Sequence, residues 1–187
     1  MSLIRKKLSD PRSRYSLIAF GINFLIALYA LVPYIIMDGG IFTVSGDFNC
    51  QQIPFAVHAN DAIKSGNVMW DWALDLGSSF LGGYAFYILG NPSFYLALLF
   101  PASWFMYVIG WIYTLKYALA GLFAFWWIRR YVKNPWYAII GSVLYAFSGY
   151  SAENLMFYHF HDVVYLFPLL LMAFEGSEGS NHQDVHG

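Results

Sequence analysis

Tyr15 to Met37 reads YSLIAFGINFLIALYALVPYIIM, 23 residues without one charged side chain. At 1.5 Å per residue a helix of that length reaches about 35 Å, enough to cross a hydrocarbon core roughly 30 Å thick. The stretch is too long for the apolar region of a signal peptide, and no small-residue cleavage site follows it. It predicts a first transmembrane helix. Five cations precede it, Arg5, Lys6, Lys7, Arg12 and Arg14. The positive-inside rule therefore places the N-terminus in the cytosol and Asp38 on the outer face.

Composition agrees with a lipid environment. The 187 residues are 59% hydrophobic and 21% aromatic, and only 11% are charged, against roughly a quarter in soluble domains. A formal net charge of -1, with no clustered basic surface for phosphate backbones, argues against a nucleic-acid partner. A single cysteine, Cys50, excludes an internal disulfide and supplies no zinc-site spacing. A Walker-type loop and a dinucleotide fingerprint are both missing.

Beyond the first span, residues 38 to 75 carry five aspartates (38, 47, 61, 71 and 75) against one lysine, Lys64. Gln52 to Ser65 reads as a helix, with Pro54 in its first turn and Gly66 as its stop. Trp70 and Trp72 suit the headgroup level. Leu76 to Leu115 adds 40 uncharged residues. Because Arg129, Arg130 and Lys133 belong in the cytosol, the simplest topology makes Met106 to Ile128 the second span. Phe80 to Phe105, broken by Gly82-Gly83, Gly90-Asn91-Pro92 and Pro101, then forms interfacial or re-entrant helices.

The expected fold is an all-α integral membrane protein of multispanning helices with a long extracytosolic first loop. Its segments are a cytosolic basic N-terminus (1–14), a first span (15–37), the extracytosolic loop with interfacial helices (38–105) and a second span (106–128). A cytosolic basic turn (129–133), a third span (134–152) and an extracytosolic turn (153–162) follow. Residues 163–174 supply a partial fourth span and 175–187 a polar tail read as disordered. This short last span suggests the N-terminal piece of a longer protein.

The chemistry-bearing residues are few. Ser45-Gly-Asp-Phe-Asn-Cys-Gln-Gln is a polar knot about ten residues past the first span. Its Asp47 is either a general base for a hydroxyl or an N-cap for the following helix. His159, His161 and Asp162 suit a phosphate or a divalent metal, with His159 and His161 as the metal candidates, or are ordinary interfacial polarity. Lys116 sits inside the second span, where an unpaired charge costs at least about 2.5 kcal/mol, so it should face protein or a polar cavity. His58 and Glu153 read as solvated.

Several ordered blocks resemble the N-terminal part of the YfhO family of bacterial membrane proteins. They are Ser45-Gly-Asp-Phe-Asn-Cys-Gln-Gln-Ile-Pro-Phe, Trp70-Asp-Trp with Asp75-Leu-Gly, Tyr84-Ala-Phe-Tyr and Leu144-Tyr-Ala-Phe-Ser-Gly, then His159-Phe-His-Asp-Val-Val with Phe167-Pro-Leu-Leu-Leu. The resemblance covers about residues 15 to 175 and stops at the polar tail. It implies a C-type glycosyltransferase-like fold in the bacterial cell membrane. The activity implied is transfer of a sugar from a polyprenyl-phosphate donor to an extracytosolic cell-envelope polymer such as lipoteichoic acid. In such enzymes an acidic residue of the first outer loop is the base, which maps onto Asp47. His159, His161, Asp162 and Lys116 are then candidates for binding substrate or lipid phosphate, and a divalent metal is a possible cofactor. Competing readings are a multispanning transporter or flippase of lipid-linked substrates, suggested by Lys116 and the broken helices, and a catalytically inert truncated membrane protein.

Overall fold

The computed structural model describes residues 11–184. Arg5, Lys6 and Lys7, on which much of the charge-topology argument rests, lie outside the described residues, as does the end of the tail at 185–187. Among the described residues the regular elements are helical apart from one two-stranded hairpin. Helix α1 (Pro11–Met37) is followed by a π-helical turn (Phe48–Gln52) and α2 (Ile53–Ser65). Strands β1 (Trp70–Asp71) and β2 (Ser78–Ser79) then pair antiparallel, Trp70 opposite Ser79 and Asp71 opposite Ser78. Short pieces lead on: α3 (Phe80–Tyr84), a π-helical turn (Ala85–Leu89), α4 (Phe94–Ala97) and a 3-10 turn (Ala102–Trp104). Helix α5 (Phe105–Ile128) precedes α6 (Pro135–Ala146), α7 (Gly149–Glu153), a 3-10 turn (Asn154–Met156) and α8 (Tyr158–Asp184).

Among the described residues two helices are long and apolar enough to cross a membrane: Ser13–Met37, within α1, and Ala102–Ile128, which is α5 with its preceding turn. Helix α5 is central and packs against α1, α6 and α8, whereas α1 leaves much of its surface exposed. Small residues let the helices approach closely. A Cβ on Gly121 would stand 2.1 Å from the side chain of Asn23, so any larger residue must displace Asn23 at that crossing. Asn23 is buried there, and its Nδ2 donates to Ala19 O at 2.8 Å and to Ser142 Oγ at 3.3 Å. One side chain thus joins α1, α5 and α6.

Residues 38 to 104 form a cap over the Phe105 end of α5. The Phe42 N–H donates to Met106 O at 3.0 Å, tying the loop after α1 to the first turn of α5. The rings of Phe42, Phe48 and Tyr113 then pack together with centroids 5.7 to 6.1 Å apart. A fully buried ring of this kind contributes about 1.5–3 kcal/mol through its apolar area. Phe80, Tyr84, Ile88 and Phe94 extend the same core along the short helices. The helix expected over 52–65 forms as α2 and stops at Gly66, which takes the left-handed φ of 78° that a side chain resists.

Two stretches differ from the sequence reading. The uncharged run 134–152, expected as one span, divides at Phe147 and Ser148: Phe147 leaves helical geometry at φ -101°, ψ 31°, and Ser148 is extended at ψ 160°. The resulting α6 has 12 residues and covers about 18 Å, short of a straight crossing. The second difference is α8. It continues through positions expected as partial span and disordered tail as far as Asp184, because its apolar start docks on α5 and carries the polar turns with it.

Candidate active site beneath the cap

Asp47 occupies the N-cap position of the π-helical turn, yet its side chain makes no cap hydrogen bond. Among the described residues its carboxylate has no other hydrogen bond or ion pair. The backbone beneath it is fixed, because the neighbouring Phe48 is fully buried against Phe42 and Tyr113. Gly46, with φ of 76°, makes the turn that presents Asp47. A Cβ on Gly46 would lie 4.0 Å from Met156 Sδ, so this loop faces the 3-10 turn before α8.

Lys116 does face protein, as its cost in lipid demands. Its Nζ lies 2.8 Å from Asp162 Oδ1, donates to Tyr158 O at 2.7 Å and stands 3.2 Å from the centroid of the Tyr158 ring. Asp162 is itself held by Ser93. The Ser93 hydroxyl contacts both carboxylate oxygens, at 2.6 and 2.9 Å, and the Ser93 N–H donates to Oδ2 at 3.2 Å. All three residues are buried. One buried ion pair therefore locks the central helix, the cap and α8 together, with the remaining lone pairs of the carboxylate satisfied as a buried charge requires.

The two histidines diverge, as positions two apart on a helix must. His161 lies between the rings of Tyr113 and Tyr117, each with its centroid 5.0 Å away, and its Nε2 is 2.7 Å from Ser151 O. A carbonyl only accepts, so Nε2 carries the hydrogen. His159 instead sits among Phe86, Tyr87 and Phe160. Its Nδ1 is buried with no hydrogen-bond partner among the described residues. Both side-chain polar atoms of Gln52, five residues past Asp47, are in the same condition. An unsatisfied buried group costs about 1–3 kcal/mol. Among the described residues no three His, Cys, Asp or Glu side chains gather as a metal-holding group, so the donor set does not fit the divalent cofactor considered from sequence.

The cap holds one cluster that the sequence conceals. His58, read as solvated, has its Nδ1 2.8 Å from the Tyr84 hydroxyl and its Nε2 3.2 Å from Asp71 Oδ2. The Asp71 contact is close in distance but outside hydrogen-bond angles. Asp71 Oδ1 accepts from the Ala73 N–H at 2.8 Å. Burial and then the nearby Asp71 charge push the Tyr84 hydroxyl up to about 12. Tyr84 therefore stays protonated, and its hydroxyl can either donate to Nδ1 or accept from it. The only sequence signal was Asp71 between two tryptophans. Strand alternation turns it inward while Trp70 and Trp72 stay exposed.

A family model described as bacterial membrane protein YfhO matches residues 19–176. No curated protein and no solved structure gives a significant match. The matched region runs from Ala19 within α1 through the whole cap and α5 to the apolar part of α8, and so includes every residue of the clusters above. With two apolar helices of membrane-crossing length and this match over most of its length, the chain belongs to the YfhO family of bacterial membrane proteins.

Proposed function

We propose that this chain is a membrane glycosyltransferase, or the N-terminal portion of one. It moves a sugar from a polyprenyl-phosphate donor to an extracytosolic cell-envelope polymer such as lipoteichoic acid. In this reading the N-terminus and Arg129 lie in the cytosol, the chain crosses the membrane more than once, and the cap faces outward. The observation that carries the proposal is Asp47: a carboxylate on a rigid turn with no partner among the described residues. A carboxylate spent on a cap or an ion pair makes a poor base, whereas a free one on fixed backbone can accept a proton within hydrogen-bond reach.

Asp47 takes the proton of the acceptor hydroxyl as that oxygen bonds to the anomeric carbon. The bond from that carbon to the phosphate oxygen breaks, and the lipid phosphate leaves with its electron pair. His159, with its unpartnered Nδ1, is the group assigned to a phosphate oxygen. His161, Lys116 and Asp162 hold the start of α8 in place. A transporter reading draws on an intramembrane charge free to bind cargo, and Lys116 is already paired with Asp162.

The test is sugar transfer in membranes carrying the full chain, using a panel of labelled polyprenyl-phosphate hexoses. General-base catalysis contributes about 10²–10⁴-fold. Asp47→Asn should therefore lose at least about a hundred-fold in transfer while keeping its expression and thermal unfolding. Transfer by Asp47→Asn at the wild-type rate would remove the assignment.

A further inference from the structure

At the opposite end of the bundle from the cap, a cavity of about 620 Å³ opens between the start of α1, the end of α5 and the start of α6. We infer that it binds the phosphate headgroup of an anionic phospholipid. This inference does not depend on the proposed catalysis.

The wall has a cationic side of two arginines and a larger aromatic and apolar side. Arg129 and Arg130 stand on one side, and Tyr15, Phe125 and Trp126 form the rest with Ser16 and Pro135. Arg129 is held in place: its NH1 donates to Val132 O at 2.5 Å and to Lys133 O at 2.6 Å, closing the last turn of α5. Its other guanidinium N–H groups have no partner among the described residues. Arg130 NH1 donates to Glu175 Oε2 at 2.5 Å and to Met172 O at 3.4 Å. The positive dipole end of α6, a 12-residue helix, begins at Pro135 on the same wall. Arg14 and Lys133 are both exposed and lie close in sequence to this lining.

An occupant must match both sides. A phosphate suits the arginines, which bind it through paired N–H donors. The aromatic side calls for an apolar tail. Trp126 is 40% exposed while its Nε1–H donates to Ser16 Oγ at 3.0 Å, and Tyr15 meets Trp136 edge-on at 5.8 Å. Such half-wet rings belong at the headgroup level. The volume lies within the usual range of small-ligand sites, about 300–1,000 Å³. A basic pocket between membrane helices is a recognised form for an anionic headgroup site.

The experiment uses the full chain purified in neutral detergent, with phosphatidylglycerol, phosphatidylcholine or inorganic phosphate added. Native mass spectrometry reads retention and thermal unfolding reads stabilisation. Phosphatidylglycerol should stay bound and raise the melting temperature, while the other two do neither. Arg130→Gln should weaken phosphatidylglycerol about five-fold, and Arg129→Gln with Arg130→Gln about thirty-fold. Equal binding of the two lipids by the wild type would overturn the inference, whatever the variants do. Stabilisation by inorganic phosphate matching that by phosphatidylglycerol would also overturn it, by assigning the site to a free anion.

Discussion

Replacing Asp162 with alanine should cost this protein about 4 kcal/mol. The substitution removes an ion pair of 2.8 Å to Lys116 and leaves the Ser93 hydroxyl and N–H without their acceptor. Breaking one side of a buried pair costs about 3–5 kcal/mol, because the other charge stays buried and uncompensated. Lys116 keeps the Tyr158 carbonyl at 2.7 Å and the ring at 3.2 Å, which holds the figure below the top of that range. Four kcal/mol is about a thousand-fold in the ratio of folded to unfolded chain. Lys116→Met should cost less, about 2 kcal/mol, since Asp162 retains both Ser93 donors. Combining Lys116→Met with Asp162→Leu should recover more than half of the single Asp162→Ala loss, because a buried pair replaced by apolar side chains of similar size is often neutral. Equilibrium unfolding in mixed detergent, followed by circular dichroism, measures all four proteins. If the double loses as much stability as the single Asp162→Ala, or more, the buried pair is not the element that joins α5, α8 and the cap.

Two further outcomes follow from packing and topology. Gly121→Ala should destabilise by about 1–3 kcal/mol, since its Cβ would meet Asn23 at 2.1 Å, whereas Gly21→Ala in α1 meets nothing within 4 Å and should be neutral or slightly stabilising. Equal unfolding of the two variants would contradict the close crossing of α1 and α5. Cys50 is exposed at the start of the cap, so under the proposed topology a membrane-impermeant maleimide should label it in intact cells. Labelling only after permeabilisation would place the cap on the cytosolic side.

The sequence by itself determined the membrane character, the two long apolar helices, the helix that closes at Gly66 and the need for Lys116 to be covered. Each follows from local quantities: charge-free length, the stop at a glycine, and the cost of one ammonium in hydrocarbon. It did not determine how 134–152 divides, because a break at Phe147 and Ser148 leaves no mark on hydropathy. Nor did it show that His58 would reach Asp71 and Tyr84, or that Ser93 would reach Asp162 across 69 positions. Those pairings were decided by the tertiary structure. Folding the cap onto α5 removes Asp71, Ser93 and Asp162 from water, and each must then take whichever partner the packing brings within reach. Asp47 is the converse case: the sequence marked it, and only the packing of Phe48 beneath it left its carboxylate presented and unpaired.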